Sequence, residues 1–266
     1  MKRWTGSTYP KMLDDFTPIL HTLPGQTIRV WAVADVHIGA KECDLDGFIR
    51  FLSKIAQNAN DYLVLCGDLL NNGIKDSMTS VYEETMPPSA QVELAAELLA
   101  PVSDRILGCV GGNHELRTVK NCDIDIMHQV MTLIRKPELY RQNLCFIRVI
   151  LENGGIKDHY SLLLLHGKTA NKRKWFDLGA VEGVDAIIGG HLHSGNASKH
   201  TKLVFTTGNH VITKSVISLT ASSWLNYGGY AARSLMLPSG GVSDPQCLVL
   251  EFTNTNSRKG RIHVSW

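Results

Sequence analysis

The sequence lacks the features that mark membrane, secreted or strongly polyanion-binding proteins. No apolar stretch is long enough for a membrane span or a signal peptide, so we expect a cytoplasmic protein without a membrane partner. The six cysteines contain no Cys-x-x-Cys pair, which predicts free thiols in a reduced compartment rather than a disulfide framework. A net charge of +2 is too small to indicate a polyanionic partner, so any basic binding surface must be local.

The length and composition suit a single folded unit. At 266 residues with 44% hydrophobic content, the chain can bury a substantial core. It contains no internal repeat, low-complexity tract or linker, so we expect one domain over residues 1–266. Residues 1–27 are mixed in character and carry Pro10 and Pro24, which predicts an irregular N-terminal arm.

Apolar strands alternate with helical patterns through much of the chain. Runs at 28–34, 62–66 and 105–110 are almost entirely apolar, which is typical of parallel strands covered by helices. Helical spacing at 46–58 lies between the first two of these runs. Further strands are predicted at 144–151, 159–165, 184–188, 202–207, 211–220, 246–253 and 260–265, and further helices at 89–100, 124–134 and from residue 172.

Five of these strands end in turns that carry metal-ligating or proton-carrying side chains: Asp35 and His37, Asp68, Asn113 and His114, His166, and His191 and His193. Each turn taken alone fits an ordinary polar or capping turn. Open α/β sheets place their sites at the carboxyl ends of strands, so the five turns together are expected to converge. Oxygen and nitrogen donors without a thiolate suit two divalent cations, with manganese expected first and iron, zinc or nickel as alternatives. Asp68, between the two ligand sets in sequence, is the candidate bridging carboxylate.

These segments also carry a resemblance. Asp35-Val-His37, Gly67-Asp68, Gly112-Asn-His-Glu115, His166 and Gly190-His-Leu-His193, in this order, resemble the calcineurin-like metallophosphoesterases over about residues 29–193. The resemblance implies a four-layer α-β-β-α sandwich, with two mixed β-sheets flanked by helices and a dinuclear metal site at the strand C-terminal ends. It implies one metal held by Asp35, His37, Asp68 and His193, and a second held by Asp68, Asn113, His166 and His191. His114 would then be the catalytic imidazole.

The chain departs from the pattern of the protein Ser/Thr phosphatases in this superfamily. Those enzymes read Gly-Asp-x-x-Asp-Arg-Gly, whereas this chain reads Gly67-Asp-Leu-Leu-Asn-Asn-Gly73. Asn71 therefore replaces the carboxylate that partners the catalytic histidine, and an amide orients His114 without adding negative charge. Asn72 replaces an arginine that binds the phosphate group in those enzymes. We expect Arg117 to take over that task, with an ordinary solvated arginine as the alternative.

Together these features predict a metal-dependent phosphoric ester hydrolase. The first hypothesis is a phosphodiesterase that acts on DNA, RNA or a nucleotide, because the motifs resemble the Mre11/SbcD nuclease branch or a compact phage or bacterial relative. In that mechanism a hydroxide bridging the two metals attacks phosphorus, and His114 protonates the departing oxygen as general acid. The alternatives are a small-molecule or cyclic-nucleotide phosphatase or phosphodiesterase, and a non-catalytic scaffold subunit. DNA-processing proteins are the expected protein partners.

Two further groups leave alternatives open. The basic cluster that follows His166 either binds a nucleic-acid backbone or forms a solvated helix face, and it consists of Lys168, Lys172, Arg173 and Lys174. Trp224, Tyr227 and Tyr230 either line a substrate rim for base stacking or pack the second sheet.

Overall fold

The computed structural model describes residues 15–75, 77, 81–167, 181–226, 247–251 and 261–265, and these form twelve strands and four α-helices. The strands are β1 (Ile19–Pro24), β2 (Thr27–Val33), β3 (Asp61–Cys66), β4 (Ile106–Val110), β5 (Tyr140–Arg141), β6 (Leu144–Asn153), β7 (Ile156–Leu165), β8 (Ala186–Gly189), β9 (Asn196–Phe205), β10 (Val211–Thr220), β11 (Cys247–Glu251) and β12 (Arg261–Ser265). The helices are α1 (Leu45–Gln57), α2 (Pro88–Leu99), α3 (Leu116–Cys122) and α4 (Ile126–Leu133), with short 3₁₀ turns at Val81–Glu83, Ala100–Arg105 and Pro137–Leu139.

The strands form two mixed sheets. The first sheet has the order β1-β6-β7-β8-β10-β9, and the second has the order β12-β11-β2-β3-β4-β5. In the second sheet, β2 to β5 are parallel, whereas β11 and β12 run antiparallel. In the first sheet, the parallel pair β7–β8 lies beside the antiparallel pair β6–β7. The prediction of two mixed sheets with flanking helices is confirmed.

The two sheets pack closely against each other. Gly108 in β4 faces β6, and a Cβ at this position would lie 2.6 Å from Ile147 Cδ1 and 3.0 Å from Cys145 Sγ. Glycine therefore permits the close approach of the two backbones. On the second sheet, α1 buries its apolar stripe, and the rings of Trp31 and Phe51 meet edge to face at 5.7 Å. Asp44 caps this helix by accepting a hydrogen bond from Gly47 N at 3.0 Å.

The prediction of an irregular arm over residues 1–27 was wrong for its second part. Residues Ile19–Pro24 form β1, which pairs in parallel with β6, from Ile19 opposite Ile147 to Pro24 opposite Glu152. This strand lies at the sheet edge, where one side needs no ladder bonds, so Pro24 is tolerated at its end. Residues 1–14 and the helix predicted from residue 172 lie outside the described part of the chain.

Strands β6 and β7 form an antiparallel hairpin. Gly154 and Gly155 connect these strands with φ values of 59° and 80°, a conformation that suits glycine. A second hairpin joins β9 and β10, and β9 begins at Asn196 rather than at the predicted residue 202. The added residues are mostly polar, and their strand conformation follows from pairing with β10 rather than from a hydrophobic pattern.

The topology brings several strand ends to one edge of the sandwich. Strands β2, β3 and β4 are parallel neighbours in the second sheet, and β7 and β8 are parallel neighbours in the first. Their carboxyl ends therefore point the same way within each sheet, and the turns that follow them meet. Within the described residues, no helix combines the length and apolar character needed to cross a bilayer.

Candidate metal centre

The turns after these five strands bring the predicted ligands together. The ligand atoms form one group from Asp35, His37 and His193, and a second from Asp68, His166 and His191. A third group contains His37, Asp68 and His114, so it connects the other two. Within each group the atoms lie within 4.8 Å of one another. This division is the one that the two predicted metal positions require.

Most of the predicted ligands sit on left-handed backbone. The φ values are 54° for Asp35, 54° for His37, 52° for Asp68, 71° for His191 and 54° for His193. This conformation costs a residue with a Cβ about 1–2 kcal/mol. Among the described non-glycine residues, only four others share it, namely Asn72, Asp123, Arg135 and Asn209. Backbone strain is therefore concentrated where side chains are aimed into the site.

Neighbouring segments hold this strained backbone in place. The carbonyl oxygen of Asp35 accepts hydrogen bonds from Trp224 N at 3.1 Å and from Ser223 Oγ at 3.0 Å. The amide of Asp35 donates to Gly67 O at 3.1 Å. Trp224 itself is buried against Phe48 and Phe51, so its packing alternative is the correct one. Tyr227 and Tyr230 lie outside the described residues.

Asp35 and Asp68 are oriented in the same way. Asp35 Oδ2 accepts a hydrogen bond from His191 N at 2.8 Å, and Asp68 Oδ1 accepts one from His114 N at 2.8 Å. The second oxygen of each carboxylate faces the histidines, with Asp68 Oδ2 3.1 Å from His166 Nε2. Burial alone would raise the pKa of Asp68, yet the imidazoles of His166 and His114 hold it well below its ordinary value. Asp68 is thus an oriented, ionised carboxylate shared between the ligand groups.

The acceptor atoms around His166 require positive charge beside its ring. Its Nδ1 lies 2.8 Å from the carbonyl oxygen of Cys66, which can only accept, so Nδ1 carries a proton. Its Nε2 then faces two further acceptors, Asn113 Oδ1 at 2.9 Å and Asp68 Oδ2 at 3.1 Å. Burial would lower the pKa of His166, but the Asp68 carboxylate outweighs it and raises the pKa to about 10. Either a second proton or a cation must therefore occupy this position.

The group around Asp35 contains buried polar atoms that lack a hydrogen bond. Asp35 Oδ1 and His37 Nδ1 are buried without a hydrogen-bond partner. Asp35 Oδ1 lies 3.3 Å from His193 Nε2, and the Nε2 atoms of His37 and His193 are 3.4 Å apart. Burial lowers the pKa of His37, which keeps this imidazole neutral and able to ligate. Buried carboxylate oxygens without a hydrogen bond are rare, and Asp35 Oδ1 beside the Nε2 atoms of His37 and His193 fits the donor set of a divalent cation.

Glu115 is a buried site residue whose role the motif alone did not reveal. Its Oε2 accepts hydrogen bonds from Asp68 N at 3.0 Å and Gly112 N at 2.8 Å, and its Oε1 accepts one from Leu70 N at 2.9 Å. Burial, together with the Asp68 charge, raises the pKa of Glu115 to about 7. The carboxylate ties the turn after β3 to the turn after β4. The sequence signal was a carboxylate inside a glycine turn that follows a buried strand.

Asn71 orients His114 in a way that differs from the prediction. His114 Nδ1 lies 2.7 Å from the main-chain carbonyl oxygen of Asn71, not from its side-chain amide. The amide Nδ2 of Asn71 instead donates to Glu84 Oε1 at 2.6 Å. Any residue can offer a main-chain carbonyl, so orientation of the imidazole does not require a carboxylate at position 71.

Arg117 is directed into the site rather than into solvent. Its Nη1 donates to Asn71 O at 3.0 Å, and its Nη2 lies 2.9 Å from His114 Nε2. A guanidinium can only donate, so Nε2 of His114 accepts and the ring is neutral, with its proton on Nδ1. Burial lowers the pKa of His114, and the Arg117 charge acts in the same direction against Asp68. The basic cluster at 168 and 172–174 lies outside the described residues.

Comparison with solved structures returns remote relatives of this architecture. A calcineurin-like phosphoesterase, YfkN from Bacillus subtilis, is 14% identical with a TM-score of 0.46, and 90% of each chain is covered. Vps29 from Entamoeba histolytica, in a structure complexed with zinc, is 12% identical with a TM-score of 0.38, over 90% of this chain and 98% of that chain. A metallophosphoesterase from Sphaerobacter thermophilus is 12% identical with a TM-score of 0.39, over 90% of this chain and 89% of that chain. These similarities are too low to assign an activity.

Comparison with protein families is decisive. No curated protein matches the sequence. The model of the calcineurin-like phosphoesterases, however, matches residues 28–195, which is more than half of the 266 residues. The matched range contains every side chain of the two ligand groups. The chain therefore belongs to the calcineurin-like phosphoesterase family, and this membership implies a metal-dependent phosphoester hydrolase.

Proposed function

We propose that this protein is a phosphodiesterase that uses two divalent cations, manganese first among them, to hydrolyse a phosphodiester in DNA, RNA or a nucleotide. The observation that carries the proposal is the unsatisfied polar chemistry of the two ligand groups. His166 Nε2 faces two acceptor atoms, and Asp35 Oδ1 is buried without a hydrogen bond, 3.3 Å from His193 Nε2. Divalent cations at these positions would satisfy the buried atoms.

The ligand groups divide naturally between two cations. One cation would be held by Asp35, His37 and His193, and the other by Asn113, His166 and His191, with Asp68 shared between them. When bound, two divalent cations supply positive charge to the phosphoryl oxygens and bring the pKa of a water molecule toward neutrality. Asp68 belongs to the group with His166 and His191 and also to the group with His37 and His114, which supports this sharing.

His114 and Arg117 act on the other side of the phosphoryl group. Arg117 donates to His114 Nε2 in the present arrangement, so this nitrogen accepts rather than donates. A phosphate oxygen is a stronger acceptor for a guanidinium than a neutral imidazole is. We propose that Arg117 turns to the substrate phosphate and leaves His114 Nε2 free to take up a proton. His114 then donates that proton to the departing oxygen as general acid.

The charge of the described site favours a diester over a monoester. A terminal phosphate carries one more negative charge than a diester at neutral pH, and this extra charge calls for an additional cation. Asn72 stands where related phosphatases have an arginine, and its Nδ2 is occupied with His114 O at 2.7 Å. Arg117 is the one guanidinium of the described residues that reaches His114. The site thus suits the less charged ester.

The direct test is manganese-dependent hydrolysis of bis(p-nitrophenyl) phosphate measured beside p-nitrophenyl phosphate. We expect a preference for the diester and loss of activity in Asp68→Asn. Asp46→Asn, an equal change at an exposed position of α1, serves as the matched control. Preference for the monoester would replace the proposal with a small-molecule phosphatase. A diester preference would be followed by single-stranded and duplex DNA as substrates.

A further inference from the structure

One short turn supports both side chains that face the phosphoryl group. His114 Nδ1 and Arg117 Nη1 both bind the carbonyl oxygen of Asn71, at 2.7 Å and 3.0 Å. Arg117 Nη1 also donates to Asn72 O at 3.3 Å. The positions of the imidazole and the guanidinium therefore depend on where the backbone of residues 71–73 lies.

Glu84 and Gln91 hold this turn from its far side. Glu84 Oε1 accepts the hydrogen bond from Asn71 Nδ2 at 2.6 Å, and the Glu84 carboxylate also accepts one from the backbone of Gly73. Gln91 is fully buried in α2, and its Oε1 accepts from Asn72 N at 2.9 Å. Its Nε2 donates to Glu84 Oε2 at 2.7 Å. Two side chains thus fix three consecutive residues of the turn.

The segment that carries Glu84 is itself anchored to the metal-ligand side of the site. Thr85 donates to Gly39 O from its backbone N at 2.8 Å and from its Oγ1 at 3.0 Å. Gly39 lies two residues after His37 in the same turn. A Cβ at Gly73 would overlap the Glu84 carboxylate, so glycine permits the close approach of carboxylate and turn. Both Gly73 and Glu84 therefore contribute to this contact.

The charged groups of this arrangement lie outside the motif positions 71 and 72. Related phosphatases carry an aspartate and an arginine at the positions of Asn71 and Asn72, whereas this chain has two amides there. Here the negative charge comes from Glu84 and the positive charge from Arg117, and the two charges interact favourably.

We propose that Glu84 is a positioning residue of the active site, and this inference rests on the phosphoesterase function proposed above. Its carboxylate holds the turn of residues 71–73 so that one carbonyl presents His114 and Arg117 to the substrate. Both oxygens are needed, because Asn71 Nδ2 and Gln91 Nε2 are both donors. A glutamine at position 84 offers one acceptor, so one of the donors would face an amide NH₂ group.

The test compares Glu84→Gln with Glu93→Gln, an equal change at an exposed position of α2. Steady-state kinetics with bis(p-nitrophenyl) phosphate give kcat and KM for each variant. Two-bond ¹H–¹⁵N correlation spectra of metal-free, ¹⁵N-histidine-labelled protein report the tautomer of each imidazole, and His114→Gln identifies the His114 signals. Thermal melting is measured for every variant.

We expect Glu84→Gln to lower kcat by about 10- to 100-fold with KM changed by less than about twofold. The His114 ring signals should shift, whereas Glu93→Gln should leave both kinetics and signals unchanged. Should Glu84→Gln fail to fold, Asn71→Ala takes its place, because it removes the amide bond to Glu84 and keeps the carbonyl. Unmoved His114 signals in a folded variant would overturn the proposal.

The two proposals fail in different ways. If wild-type protein hydrolyses neither ester, the proposed function is refuted and the ring signals alone decide the role of Glu84. If wild-type protein is active but Glu84→Gln leaves the His114 signals in place, the positioning role is refuted and the function stands.

Discussion

Removal of the Glu115 carboxylate should destabilise the two turns that it joins, after β3 and after β4. This side chain is 1% exposed and accepts three backbone hydrogen bonds, from Asp68, Leu70 and Gly112. In Glu115→Ala all three donors lose their partner inside the protein. In Glu115→Gln the best orientation of the amide keeps two bonds and turns its NH₂ group toward the third donor.

The expected cost follows from these bonds. Each buried donor left without an acceptor lowers the free energy of unfolding by about 1–3 kcal/mol. Three such donors set an upper bound of about 9 kcal/mol on the loss. Entry of water and relief of the repulsion between Glu115 and Asp68 offset part of this. We therefore expect Glu115→Ala to lower the free energy of unfolding by about 3–5 kcal/mol, and Glu115→Gln by about 1–3 kcal/mol. Against a typical total of about 5–15 kcal/mol, the first change is large.

Urea unfolding of metal-free protein measures these differences, and calorimetric titration with Mn²⁺ measures the effect on the ligand turns. We expect manganese affinity to fall by about 10- to 100-fold in Glu115→Ala, because Asp68 and the Gly112 turn lose their common support. Glu97→Ala, at an exposed position of α2, is the control. The reasoning is refuted if Glu115→Ala unfolds within about 1 kcal/mol of the wild type and binds manganese equally well.

Three other outcomes can be checked on the same protein. Stripping divalent cations with a chelator should lower the melting temperature, and Mn²⁺ at 100 times its dissociation constant should restore about 2.7 kcal/mol. Asp68→Asn should respond to neither treatment. Arg117→Ala should reduce kcat/KM for the diester by about 100-fold, and Arg117→Lys should recover only part of this loss because lysine cannot bind phosphate in a bidentate manner. Gly112→Ala should abolish manganese binding in calorimetry because its Cβ would overlap Asp68 Oδ1, whereas a Cβ at Gly208 meets nothing closer than 3.5 Å, so Gly208→Ala should bind normally.

The sheets and the ligand set could be predicted because their signals are local. An apolar run such as residues 62–66 predicts a buried strand, and a glycine or aspartate after it predicts the turn that faces the site. Strand β1 could not be predicted in this way. Its residues are of mixed polarity, and its conformation comes from pairing with β6, which lies far along the chain.

The supporting residues of the site were missed for a similar reason. Glu84 and Gln91 lie in a polar segment and on a helix, and neither position carries a motif. Their importance arises from hydrogen bonds to a turn that is distant in sequence, and such contacts exist only after the chain has folded. The prediction that the amide of Asn71 orients His114 was wrong because residue types do not distinguish a side-chain contact from a main-chain contact.

That distinction explains how this site tolerates its departures from the family pattern. His114 takes its orientation from the carbonyl oxygen of Asn71, so an amide at position 71 preserves the geometry of the imidazole. What the substitution removes is negative charge beside the ring, and the pKa of His114 accordingly falls through burial and the nearby Arg117. Restoring the motif with Asn71→Asp would therefore keep the main-chain carbonyl that accepts the hydrogen bond from His114 Nδ1. It would also place a second carboxylate against Glu84, and the repulsion between them should disturb the turn that Glu84 supports.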